Sequence, residues 1–184
     1  MQVHTFSPNL GGNGGPAANP TGNSADYVSG ARAVFGGSYT YTGPYDKTNI
    51  IDYITITTAG NAIDFGDLTE TRGVGGAGSS RTRGLFCGGY HPSPSLTNRN
   101  TIQFITMATL GNTQDFGDMT TVRGHPAVAG NATRILISSG YTPTHISSIE
   151  KVTIATKGNG TSFGNAGFTG FAKGSTSSST RSVF

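Results

Sequence analysis

The sequence has no tryptophan, one cysteine and few charges. Acidic and basic residues make up 11% of its 184 positions, less than half the roughly 25% of an average soluble domain. A lone cysteine excludes an intrachain disulfide framework and a multi-cysteine zinc site. No apolar run approaches the roughly 20 residues that a membrane-spanning helix needs. Met1–Thr5 lacks the basic stretch and apolar core of a secretory signal, so none is read there. The formal net charge is +3, with no two basic residues adjacent. That is a weak footing for nucleic acid, and no nucleic-acid partner or membrane insertion is expected.

Helical periodicity is missing too. A helix needs apolar residues at i, i+3 and i+4 over about a dozen positions with few glycines. The 29 glycines interrupt nearly every stretch. Between them lie Thr, Val, Ile, Tyr and Phe, which favour strands. Tyr53-Ile54-Thr55-Ile56-Thr57 alternates, with Ile54 and Ile56 on one face, and Val152-Thr153-Ile154-Ala155-Thr156 does the same. Ile102-Gln103-Phe104-Ile105-Thr106-Met107 is the matching strand, although its alternation slips at Ile105. Short strands bounded by Gly, Asn and Pro turns predict an all-β fold.

The strongest signal is an internal repeat. Arg32-Ala33-Val34-Phe35-Gly36-Gly37, Arg83-Gly84-Leu85-Phe86-Cys87-Gly88-Gly89-Tyr90 and Arg134-Ile135-Leu136-Ile137-Ser138-Ser139-Gly140-Tyr141 open three segments about 51 residues apart. Each leads through a strand to an aromatic turn. The turns read Asp64-Phe65-Gly66-Asp67-Leu68-Thr69, Asp115-Phe116-Gly117-Asp118-Met119-Thr120 and Ser162-Phe163-Gly164-Asn165. In the first two, Arg72 and Arg123 follow. The repeats are placed at 29–80, 81–131 and 132–179, with a partial fourth at 180–184. Residues 1–28, rich in Gly, Pro and Asn, read as an extended arm or as plain disorder. The stop within a strand reads either as a fragment of a longer repeat protein or as a blade completed by another copy.

Each recurring residue has an expected structural part. Phe65, Phe116 and Phe163 are assigned to packing between repeats, where one aromatic buries about 150–250 Å². Gly36, Gly37, Gly88, Gly89 and Gly140 end apolar strands and mark bulges or close backbone approach. No helix follows them, so a phosphate-cradling loop is rejected. Asp67 and Asp118 are expected to cap local backbone N–H groups and to pair with Arg72 and Arg123. Arg32, Arg83 and Arg134 are expected to reach the next repeat through backbone carbonyls or turn carboxylates. Cys87 reads as a small buried apolar residue rather than a nucleophile.

No catalytic set, cofactor or metal site emerges. His4, His91, His125 and His145 are scattered, without metal-ligand spacing. Four of the nine acids, Asp64, Asp67, Asp115 and Asp118, recur between repeats as structural residues do. The loops after the glycine pairs differ most. They carry Tyr39, Tyr41 and Tyr45, then Tyr90 and His91, then Tyr141 and His145. A ligand surface belongs there if the chain has one, with glycan stacking on the aromatic rings. The alternative is a plain surface loop.

From about Ser29 to Phe184 the pattern resembles the kelch repeat: arginine, apolar strand, Gly-Gly-Tyr, strand, aromatic, then Leu/Met-Thr-x-x-Arg. It departs from that family in carrying Phe where kelch blades usually have Trp. The wording Asp-Phe-Gly-Asp-Leu/Met-Thr also resembles kelch-like repeats in structural proteins of tailed phages, especially those of marine bacteria. The resemblance implies β-propeller-type blades, three plus a partial fourth. Closed propellers typically have four to eight blades, so completion between copies is expected. It further implies a virion structural protein (tail, fibre or capsid decoration), located in the virion. The partners are other copies, other virion proteins and, through the loops, a host surface glycan. A glycan-binding adhesin outside any virion is the competing expectation. A propeller enzyme is the third, and no enzyme is expected.

Overall fold

The computed structural model describes residues 32–39, 47–73, 75–91 and 97–184. The expected arm at 1–28 and the loop residues Tyr41 and Tyr45 lie outside these. Among the described residues there is no helix. Strands β1 (Arg32–Tyr39), β2 (Lys47–Thr55) and β3 (Ile63–Asp67) form a first sheet in chain order. A second sheet holds β4 (Gly76–Ser79) and β5 (Arg83–Cys87). A small hairpin of β6 (Tyr90–His91) and β7 (Thr97–Asn98) follows, before β8 (Thr101–Thr106) and β9 (Gln114–Asp118) return to that sheet. A third repeats the four-stranded order with β10 (Ala127–Gly130), β11 (Arg134–Ser138), β12 (Ile146–Thr153) and β13 (Thr161–Gly170). A short pair, β14 (Thr176–Ser177) and β15 (Ser182–Val183), ends the chain. Every pairing between these strands is antiparallel and no sheet closes on itself. The protein is all-β.

The sheets are offset from the arginine-phased repeats by one strand. β4 precedes Arg83 and β10 precedes Arg134, yet each pairs with the strand that follows it. The boundaries expected at 80/81 and 131/132 therefore fall inside sheets.

Sheets stack face to face, and each interval holds a core. Between the first and second sheets lie Val34, Ile51, Phe65, Leu68, Phe86, Ile105 and Met107. Leu85, Cys87, Ile102, Phe104, Phe116 and Met119 meet Val128, Ile135, Ile137, Val152 and Ile154 between the second and third. The second sheet is thus buried on both faces, which explains the slip in alternation at Ile105. That residue faces the first sheet and its neighbour Phe104 the third. A doubly covered strand reads as a continuous apolar run rather than an alternating one. The first strands approach most closely: a Cβ placed on Gly76 in β4 would lie 2.3 Å from a methyl of Val128 in β10.

Candidate functional site

The same joint connects the first sheet to the second and the second to the third. Arg32 Nη1 donates to the Met107 carbonyl at 2.8 Å. Arg83 Nη1 donates to the carbonyls of Ile154 and Ala155, each at 2.9 Å. Their guanidiniums lie over Tyr53 at 5.0 Å and over Phe104 at 4.9 Å. The outer edges are also paired. Gly111 N–H donates to Phe65 O and Thr113 N–H to Asp67 O; Gly158 N–H donates to Phe116 O and Gly160 N–H to Asp118 O. The amides of Asp67 and Asp118 donate to Asn112 Oδ1 and Asn159 Oδ1, both at 3.0 Å. Two Gly-Asn dipeptides, which the sequence reading passed over, supply these acceptors. Phe65 and Phe116 are buried in the joints, as expected, and each meets an aromatic of its own sheet edge-on, Tyr53 and Phe104.

Arg72 and Arg123 are buried and cross the same joints. Arg72 Nη1 donates to Gly88 O at 3.0 Å, and its Nη2 to Glu70 and Thr101 Oγ1. Arg123 Nη1 donates to the carbonyls of Ser139 and Ser148, and its Nη2 pairs with Glu150. The expected pairing with Asp67 and Asp118 is corrected here: the carboxylates are Glu70 and Glu150. The reason is geometric. The aspartates sit at the ladder ends of β3 and β9, where their backbones are engaged by the next sheet, while the arginine chains run inward. Glu150 also accepts the Thr120 N–H at 2.7 Å. Its register counterpart Gln103 accepts Thr69 N–H at 3.1 Å and Thr113 Oγ1–H at 2.7 Å. Burial lowers the pKa of both arginines, and the paired glutamates oppose that shift.

The glycines do what their spacing suggested. Gly37, Gly88, Gly89 and Gly140 all have positive φ, and β1 carries a register shift between Gly36 and Ser38. At Gly88 (φ 60°) a Cβ would also lie 2.5 Å from the Arg123 carbonyl, which excludes a side chain. Ser139 takes the corresponding place in the third sheet with φ 59° and accepts a bond from Lys173 Nζ at 2.9 Å. Cys87 is fully buried between Arg72 and Arg123, and burial pushes its thiol up to about 12.

Two expected packing residues behave differently. Phe163 is 53% exposed, against 2% for Phe65 and Phe116. Arg134 is exposed and, among the described residues, donates to no carbonyl or carboxylate. Both lie on the face of the third sheet that points away from the second. β14 and β15 lie against β10, and just before β14 Ser175 Oγ donates to Val128 O at 2.8 Å. Beside Arg134 an open groove of about 250 Å³ is lined by Lys151, Lys157, Asn159 and Thr161.

At the opposite end of the strands from the Gly-Asn turns, the loops bring rings together. Tyr90 meets His125 edge-on at 5.4 Å, and His125 meets Phe171 at 5.4 Å. His145 stacks on Phe171 at 4.9 Å and lies 5.7 Å from Tyr141. Three expected loop residues, Tyr90, Tyr141 and His145, therefore share one cluster. His91 is placed beside it in β6, paired with Thr97, and Tyr39 ends β1 opposite Lys47. His125 and Phe171 were not singled out as loop residues. Phe171 lies beyond the last recognisable repeat motif, so no spacing marked it. The cluster offers apolar faces with hydroxyl and imidazole edges, suited to stacking against a sugar ring. Among the described residues no group of three His, Cys, Asp or Glu could hold a metal ion.

No protein-family model matches the chain, and no curated protein matches it.

Proposed function

We propose that the chain is a structural protein of a phage virion, part of a tail, fibre or capsid decoration, built from β-propeller-type blades. The observation that carries this reading is the use made of its few charges. Of the arginines near the joints, four cross from one sheet to the next, and the buried acid Glu150 receives one of them. A charge-poor chain that commits its ions to stacking its own sheets suits a load-bearing scaffold. The second and third sheets are four-stranded, up-and-down and stacked in chain order with β4 and β10 close together, which favours propeller-type blades.

The test is mass spectrometry and immunogold labelling of purified phage particles. Stoichiometric presence on the particle supports the reading, and absence from the particle overturns it. A second reading is favoured by the ring cluster of Tyr90, His125, Tyr141, His145 and Phe171: attachment to a host surface glycan, with or without a virion. A glycan array probed with the chain and with Tyr141→Ala separates the two. Binding that the substitution abolishes supports recognition, and no binding leaves the scaffold role alone.

A further inference from the structure

We propose that the open face of the third sheet receives the first sheet of a second copy, head to tail, through the joint that already connects the sheets within one chain. The inference rests on the blade reading above. The internal joint occurs twice with the same parts, so its two half-surfaces are known. The donor half consists of an aromatic in the fourth strand, an arginine at the start of the second strand, and a paired outer edge. The acceptor half consists of a large apolar residue two positions before the positive-φ residue (Phe86 before Gly88, Ile137 before Ser139), a carbonyl just past the third strand, and a Gly-Asn turn.

Among the described residues, both halves recur unpaired on the outward faces of the first and third sheets. On the third sheet, Phe163 stands where Phe65 and Phe116 stand, Arg134 where Arg32 and Arg83 stand, and the Asn165 backbone where those of Asp67 and Asp118 stand. On the first sheet, Phe35 occupies the register place of Phe86. Ile56 occupies that of Met107, following the same Thr58-to-Thr55 turn bond that Thr109 makes to Thr106. Gly60-Asn61 repeats Gly111-Asn112 and Gly158-Asn159. The unpaired surfaces are apolar at matching points: Phe163 and Ile56 are 53% and 51% exposed. In the joint, Arg134 donates to Ile56 O of the second copy, the Asn165 amide to its Asn61 side chain, and Phe163 packs against its Phe35.

The inner strand is supplied as well. β1 is an edge strand of its sheet, at the place where β4 and β10 flank β5 and β11, and β14 is the next strand of that series. β15 now pairs with β14, and its segment Arg181-Ser182-Val183-Phe184 copies Arg32-Ala33-Val34-Phe35 in all but one residue. The second copy's β1 takes the place of β15 beside β14. Such a contact is heterologous, so it propagates into a ring or an open array.

The experiment is light scattering on the full chain over a concentration series, with Phe163→Asp, Ile56→Asp and their equimolar mixture. Both residues are exposed, and circular dichroism verifies that each variant is folded. The expected result is a wild-type mass that exceeds one chain and rises with concentration, single-chain mass for each variant, and a two-chain complex for the mixture. The mixture stops at two chains because one intact tail meets one intact head. A wild-type monomer at every concentration overturns the joint, as does a mixture that stays monomeric. Loss of assembly in Phe163→Asp alone also overturns it, because that pattern means tail to tail. If either variant is unfolded, Arg134→Glu and Asn61→Lys, which removes the acceptor oxygen, repeat the test with polar exposed positions. A monomer that is nevertheless found in purified particles overturns the joint and leaves the virion reading standing. A chain that joins head to tail but is absent from particles does the reverse.

Discussion

Arg123, from the connection after β9, forms an ion pair with Glu150 of β12 across two sheets, and both side chains are almost wholly buried. Arg123 Nη1 also donates to the carbonyls of Ser139 and Ser148, and the glutamate accepts a backbone amide as well, while the buried Arg123 Nε has no hydrogen-bond partner among the described residues. A buried ion pair of this kind adds little over an apolar substitute, but breaking it strands a charge in the core.

Glu150→Ala is therefore expected to lower unfolding stability by about 3–5 kcal/mol. Glu70→Ala, at a carboxylate that keeps 24% of its surface in water while Arg72 retains its bonds to Gly88 and Thr101, is expected to cost less, about 1–3 kcal/mol. Urea titrations of the two variants give the comparison. Equal losses would mean that the second joint has no special burial.

Phe116 and Phe163 occupy the same repeat position in opposite surroundings. Phe116→Ala is expected to cost about 3–5 kcal/mol, as for a core aromatic. Phe163→Ala in the dilute single chain is expected to stay within about 0.5 kcal/mol. Thermal or chemical melts at low concentration separate them.

Cys87 makes stability fall at alkaline pH. Its thiol ionises near 9 in an unperturbed state and about 12 in the folded chain. Below about pH 9 the thiol is neutral in both states and contributes no pH dependence. Between about 9 and 12 the denatured chain sheds the proton and the folded chain keeps it, so the group costs about 1.4 kcal/mol per pH unit. Cys87→Ala is expected to flatten that limb of the stability–pH curve. Parallel curves for variant and wild type would refute the assignment.

Removal of residues 181–184 is expected to strengthen association between copies, because it clears the place beside β14. A sedimentation series on the shortened chain reads this as a shift of the association midpoint to lower concentration. Weaker association would mean that β15 is itself part of the joint.

The repeat, the all-β class, the burial of Phe65 and Phe116 and the reach of Arg32 and Arg83 to backbone carbonyls of the next sheet were legible because each is fixed by one position in a recurring unit. The acids that meet Arg72 and Arg123 were not. Glu70 has Thr121 in its place in the next repeat, and Glu150 shares its register place with Asp52 and Gln103, so neither shows as a recurrence. Asp67 and Asp118 do recur, but for their backbones, which are held by Asn112 and Asn159. Recurrence also misled at Phe163: the position is repeated, while the neighbour that would bury it is not. The ring cluster was half legible, since His125 and Phe171 reach it only through the way the sheets stack.

The most direct test of blades completed between copies is the mass and shape of the full chain in solution, by light scattering followed by electron microscopy. The account predicts particles of an integer multiple of 18.9 kDa with sheets arranged as a ring or arc of blades. A compact single chain of 18.9 kDa at every concentration, with no larger particles on the grid, would contradict it.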